Sequence, residues 1–115
     1  MDLAPRRVAD TVVLAPSGRI DHASAEGFKE ALQPYIERCA AGRDPLVVDF
    51  SGVEYISSAG LRVLMLARKQ AKAQGGTIVI AALQPMVKEI FEIARFTLVF
   101  QIFVTVGEAV DRVRQ

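Results

Sequence analysis

The sequence predicts an α/β domain built on a mixed, mostly parallel sheet. Three short aliphatic runs are each followed by a segment in which apolar residues recur at helical spacing; the runs are residues 45–50, 77–82 and 98–104. This alternation is typical of parallel strands joined by right-handed helical crossovers. Val8 and residues 11–14 add an antiparallel hairpin that turns at Ala9-Asp10. The predicted order is β-β-α-β-α-β-α-β-α.

Composition favours one soluble domain over residues 1–115. A chain of 115 residues, of which 51% are hydrophobic, is long enough to bury about two-thirds of its unfolded surface. A net charge of +1 gives no broad basic field for direct nucleic-acid binding. The apolar runs are too short for membrane insertion, the first residues lack the order of a signal peptide, and the lone Cys39 cannot form an internal disulfide. We therefore expect a cytoplasmic protein.

The first helix is predicted to follow Asp21 or Ser24, either of which can cap it. One apolar stripe recurs at helical spacing and is formed by Phe28, Ala31, Leu32, Tyr35, Ile36 and Cys39. Pro34 lies inside this pattern and predicts either a kink or a looser middle of the helix, because it removes one backbone hydrogen bond. Cys39 is interpreted as a small buried apolar residue.

The most informative stretch is residues 46–61, where a strand leads through a loop into a second helix. Leu46-Val47-Val48 is aliphatic without a break, as in a strand covered on both faces. Residues 51–54 are interpreted as a turn. The helix is predicted over residues 58–74, and either Ser57 or Ser58 can cap it while the other faces outward.

The C-terminal third is predicted to hold a short helix, a strand and a last helix. The short helix begins at Pro85 and the strand spans residues 98–104. Thr105 and Glu108 have the spacing of a capping box, which predicts the last helix. The run Phe96-Thr-Leu-Val-Phe100 is interpreted as core, with an exposed patch for a partner as the alternative.

Three segments together resemble the STAS family, the domain of bacterial anti-anti-sigma factors and of sulphate-transporter tails. They are Gly18-Arg-Ile-Asp21-His22-Ala-Ser-Ala-Glu, Ser57-Ser58-Ala59-Gly60-Leu61, and Pro85-x-Val87-x-x-Ile90-Phe91. The family pattern at the second segment is roughly Asp-Ser-Ser/Thr-Gly-Leu. Ser57 therefore stands in place of the usual Asp, and Ala59 replaces the second hydroxyl residue. The resemblance implies a central sheet with about four helices, packed mainly on one side.

The resemblance also implies a function. Ser58 falls on the serine that partner kinases phosphorylate in that family, with Ser57 as the alternative acceptor. The implied partner surface consists of Asp21, His22, Ser57, Ser58, Ala59, Gly60 and Arg62. The implied role is an anti-sigma factor antagonist whose partner is an anti-sigma factor with serine kinase activity. A phosphatase is a further implied partner.

Several alternatives stay open beside this hypothesis. Ser58 can be an ordinary helix-start serine, and Asp21 and His22 a cap and its solvated neighbour. The chain can instead serve as a STAS subunit of a lipid-transport ABC complex, or as a stressosome-like scaffold, without a phosphorylation switch. An enzyme is not expected, because no nucleophile elbow or phosphate-binding glycine loop is present. One histidine and one cysteine predict no metal site, and no cofactor is expected.

Overall fold

The computed structural model describes residues 1–114. In chain order its elements are β1 (Arg6–Val8), β2 (Thr11–Leu14), β3 (Ser17–Ile20), α1 (Ala25–Arg38), β4 (Leu46–Asp49), β5 (Gly52–Ile56), α2 (Ser58–Ala73), β6 (Ile78–Ala81), α3 (Pro85–Ile93), a 3-10 turn (Phe96–Leu98), β7 (Ile102–Phe103) and α4 (Val106–Val113). The main sheet has the order β1-β2-β4-β6-β7. Within residues 1–114, β1 and β2 of this sheet pair antiparallel, and its other neighbouring strands pair parallel. The prediction of a mixed, mostly parallel sheet is confirmed.

The main sheet is covered on both faces, and its strands alternate between two cores. Leu46 and Val48 of β4 point into the larger core, and Val47 between them points into the smaller one. All three side chains are fully buried. Successive residues of a strand face opposite sides of a sheet, so an unbroken aliphatic run is what two covered faces require.

Three helices lie on one face and the fourth lies on the other. The larger core takes buried residues from α1, α2 and α3, including Phe28, Leu64 and Phe91. The smaller core is closed by Ala109 and Val110 of α4. The Thr105 side chain accepts the Glu108 N–H at 3.1 Å, so the predicted cap of this last helix is confirmed. Four helices packed mainly on one side are therefore observed.

Two strands were missed, and they form a second sheet. The sequence predicts a turn over residues 51–54 and no strand over residues 17–20, but residues 17–20 form β3 and residues 52–56 form β5, and the two strands pair parallel to each other. Only one side of this small sheet packs on the core, so its strands carry glycine and polar residues between the buried ones. Their sequences therefore lack the continuous aliphatic run that identifies the strands of the main sheet. The Cβ of an alanine at Gly52 would lie 3.2 Å from Ser17 Cβ, so the two strands are closely apposed there.

The strand predicted over residues 98–104 is wrong in its first half. Arg95 adopts a left-handed conformation with φ 62° and is followed by the 3-10 turn, so only Ile102 and Phe103 form a strand. The turn places both Phe96 and Phe100 in the core, where their rings stack with centroids 6.0 Å apart. Stacking of two rings four positions apart requires the backbone to turn, because an extended strand would separate their Cα atoms by about 13 Å.

The capping hydrogen bond expected at the start of α1 is absent from residues 1–114. Ser24 occupies the cap position, but its side chain makes no capping hydrogen bond to the helix. The helix is assigned without interruption through Pro34, which is exposed. Cys39 is fully buried, as interpreted, and burial raises the pKa of its thiol.

Within residues 1–114, no helix combines the length and the apolar character that crossing a bilayer demands.

Replacing Leu64 tests the packing of α2 on the sheet. Leu64 is fully buried, so Leu64→Ala should lower the free energy of unfolding by about 3 kcal/mol through lost burial and a residual cavity. Leu66 on the same helix is 45% exposed, and Leu66→Ala should cost less than about 1 kcal/mol. Urea denaturation of the three proteins measures both values. Equal losses in the two variants would contradict this arrangement of α2.

Candidate functional site at the start of α2

Ser57 fixes the start of α2 with two hydrogen bonds. Its side-chain oxygen accepts the Gly60 N–H at 3.2 Å, which makes it the N-cap. Its own N–H donates to the Ile20 carbonyl at the end of β3, at 2.8 Å. Of the two capping roles that the sequence left open, Ser57 therefore takes the cap. The Ser57 hydroxyl oxygen therefore stabilises the start of the helix as a hydrogen-bond acceptor.

Gly60 lets the first turn of α2 approach the small sheet closely. A Cβ at this position would lie 2.8 Å from Ile56 Cγ1, 2.9 Å from Ile20 Cγ2 and 3.1 Å from the Ile20 carbonyl oxygen. These distances leave no room for a side chain. Gly60 is itself buried, so its contribution to the site is to position its neighbours.

Ser58 is the exposed residue of this turn. It lies beside a shallow groove of about 300 Å³ whose other lining residues are Leu61, Arg62, Met65 and Phe96. No hydrogen bond holds its hydroxyl within residues 1–114, whereas the hydroxyl of Ser57 is engaged. The Ser58 hydroxyl is therefore accessible at the edge of an apolar surface.

A second groove lies between the first turns of α1 and α2. It has a volume of about 380 Å³, and its lining residues are His22, Ala25, Glu26, Lys29, Ala59, Arg62, Val63 and Leu66. Arg62 lines both grooves, so it forms the ridge between them. The two ion pairs found within residues 1–114 are Arg7–Asp44 and Arg114–Asp10. In that part of the chain the Arg62 guanidinium has no carboxylate partner.

Asp21 organises the loop that carries His22. Its Oδ1 accepts the Ser24 N–H at 3.1 Å, and the Ser24 hydroxyl accepts the Asp21 N–H at 3.0 Å. The backbone and hydroxyl hydrogen bonds from Ser24, assisted by the charge of Arg19, lower the pKa of the Asp21 carboxyl group. The carboxylate thus stabilises the turn before α1 and is not among the residues that line either groove.

The structure brings the predicted partner-binding residues to one end of the fold, in different roles. His22, Ser58, Ala59 and Arg62 line grooves, whereas Ser57, Gly60 and Asp21 shape the backbone. The predicted partner surface leaves out several lining residues: Glu26, Lys29, Leu61, Met65 and Phe96. Of these, Phe96 belongs to the run for which a partner patch is the alternative. Helical spacing from Ser58 and Arg62 signals Leu61 and Met65. Phe96 joins them only through the tertiary fold.

Substituting Gly60 tests the close approach. Gly60→Ala should lower the free energy of unfolding by about 2 kcal/mol, because the new methyl group overlaps Ile20 and Ile56. Gly27 in α1 is the matched control. Its added Cβ would meet no heavy atom nearer than 3.9 Å, so Gly27→Ala should raise stability by roughly 0.5 kcal/mol. Urea denaturation reports both, and a stable Gly60→Ala protein would refute the steric argument.

The Asp21 hydrogen bonds predict a pH dependence. Because the pKa of this carboxyl group is lowered in the folded state, the stability that it contributes is present when it is ionised and is lost as pH falls through that pKa. The stability difference between wild type and Asp21→Asn should therefore be larger at pH 6 than at about pH 3. Denaturation curves at both pH values measure it, and a constant difference would contradict the assignment.

A family model and a curated relative match most of this chain. The family model described as the STAS domain matches residues 3–109. A candidate anti-sigma factor antagonist of Bordetella bronchiseptica, BtrV, is 32% identical over 102 residues, which cover 89% of this chain and 85% of that protein. The sequence resemblance is thereby confirmed.

Solved structures agree at the level of the fold. A candidate anti-sigma factor antagonist from Thermotoga maritima has a TM-score of 0.88 at 23% identity, covering 98% of this chain and 95% of its own. The Bacillus cell fate determinant SpoIIAA, solved in its phosphorylated form, has a TM-score of 0.68 at 21% identity, covering 95% of this chain and 96% of its own. With the family match and the relative at 32% identity, they lead to one conclusion: the chain belongs to the STAS domain family.

Proposed function

We propose that this protein is an anti-sigma factor antagonist controlled by phosphorylation of Ser58. It binds an anti-sigma factor with serine kinase activity through the surface around the start of α2, and so releases a sigma factor in the cytoplasm. The observation that carries the proposal is the division of labour between two adjacent serines. Ser57 caps the helix, while the Ser58 hydroxyl is exposed beside the groove and makes no hydrogen bond within the described residues 1–114.

The relatives support the biological role. BtrV is named as a candidate anti-sigma factor antagonist and matches most of both chains. SpoIIAA, which has the same fold, has been solved in a phosphorylated form. The protein proposed here is the substrate of the kinase and performs no catalysis itself.

The chemistry is a phosphoryl transfer. The Ser58 oxygen attacks the γ-phosphorus of ATP in the kinase, the hydroxyl proton passes to a base of the kinase, and ADP leaves. The product carries close to two extra negative charges at pH 7. The start of a helix tolerates this charge, because unpaired N–H groups and the positive end of the helix dipole lie there. A protein docked on the same surface must desolvate or repel it, so binding is lost while the fold persists. A phosphatase would restore binding.

Intact-mass analysis after incubation with the anti-sigma factor and ATP tests the acceptor. Wild type and Ser57→Ala should each gain one phosphoryl group, because the Ser58 hydroxyl is the free one. Ser58→Ala should gain none. No phosphate on wild type, or a phosphate that persists on Ser58→Ala, would contradict the assigned acceptor.

Binding of the anti-sigma factor tests the switch. Ser58→Asp should weaken the complex by at least about tenfold, which is about 1.4 kcal/mol, and Ser58→Ala should retain it. Thr77→Asp is the matched control, because Thr77 is exposed beyond the far end of α2 and gains the same charge. Calorimetric titration measures the three affinities. Equal binding by Ser58→Asp and Ser58→Ala would refute the switch and favour a transporter-associated or scaffold role.

A further inference from the structure

Arg62 is placed to hold a phosphoryl group on Ser58. The two residues are four positions apart on α2, so they lie one above the other on the same face of the helix. Both line the groove formed with Leu61, Met65 and Phe96. An acidic group that precedes a basic one by four residues is the more favourable order on a helix. The pair therefore becomes complementary once Ser58 is phosphorylated.

The local charges leave Arg62 available for this pairing. Its guanidinium has no carboxylate partner within residues 1–114. The first turn of α2 contains no acidic residue, and Ser57 stands at the cap without a charge. An aspartate at the cap would repel a neighbouring phosphoryl group and compete for the arginine. Here the added dianion meets one guanidinium, which can bind two of its oxygens at once.

We propose that phosphorylated Ser58 is held by Arg62 in an intramolecular ion pair that remodels both grooves. The inference rests on the proposed function for its trigger. Arg62 forms the ridge between the groove beside Ser58 and the groove that contains His22 and Ala59. Pairing with the phosphoryl group turns the guanidinium towards Ser58 and withdraws it from the second groove. The modification thus removes a positive charge from the partner surface as well as adding negative charge.

The ion pair has a direct signature in the ionisation of the phosphoryl group. A nearby guanidinium stabilises the dianion, so the second pKa of the phosphoserine falls. Phosphoserine installed at position 58 during translation allows a 31P NMR titration without any kinase. The second pKa in wild type should lie about half a pH unit below that in Arg62→Gln. Arg62→Lys should fall between them, since lysine keeps the charge but not the forked geometry.

The control removes a charge from the same helix face farther away. Lys69 follows Arg62 by seven residues and is exposed, and Lys69→Gln should keep the wild-type second pKa. His22, Glu26 and Lys29 line the adjoining groove and are unchanged in every variant, so their contribution cancels in the comparison. A second pKa in Arg62→Gln equal to that of wild type would overturn the ion pair. So would an equal rise in Lys69→Gln.

This experiment separates the ion pair from the wider proposal. The titration needs no partner, so it decides the ion pair alone. If phosphorylated wild type still binds the anti-sigma factor, the proposed function fails whatever the titration shows. If phosphorylation abolishes binding but the Arg62→Gln second pKa is unchanged, release occurs by charge repulsion and the ion pair is wrong.

Discussion

The close contact of α2 with the small sheet is the constraint on which the site depends. The Ser57 N–H meets the Ile20 carbonyl at 2.8 Å, and Gly60 presses against Ile20 and Ile56. These contacts tie the helix start to the ends of β3 and β5 simultaneously. The position of Ser58 is therefore set by buried backbone and apolar contacts. Chemistry at its exposed hydroxyl can alter the surface without loosening what lies beneath.

This separation between a rigid base and a changeable surface suits a binding switch. The groove residues beside Ser58 are apolar at Leu61 and Phe96 and cationic at Arg62. A partner that buries this surface gains from apolar contact and from the unpaired guanidinium. A dianion added at the edge of this surface opposes both contributions, because it must be desolvated when a partner binds and because it competes for the Arg62 guanidinium. In the proposed function, the same few side chains would serve both recognition and release.

Sequence reasoning succeeded where residue type and spacing carry the structure. The run Leu46-Val48, buried on both faces, and a helix start at Ser57-Ser58 could both be predicted, because burial period and capping chemistry are local properties. Which of the two serines forms the cap could not be predicted. The strand Gly52–Ile56 could not, since it is held by pairing with a segment more than thirty residues earlier. The 3-10 turn at Phe96 could not be predicted either, because a short apolar run is compatible with both an extended strand and a helical turn. In the site, helical spacing predicts that Leu61 and Met65 lie beside Ser58. It does not predict that Phe96 lines the same groove.

The division of the interior into two cores bears on how the sequence can change. The core beneath α4 contains Val47, Val79 and Val110, and the sheet backbone separates it from the core beneath α1, α2 and α3. Substitutions in the two cores share few contacts, so their effects on folding should be close to additive. Substitutions on the side of the protein turned away from Ser58 can therefore be accommodated independently of those near Ser58. The packing under α4 can change while the opposite side keeps its chemistry.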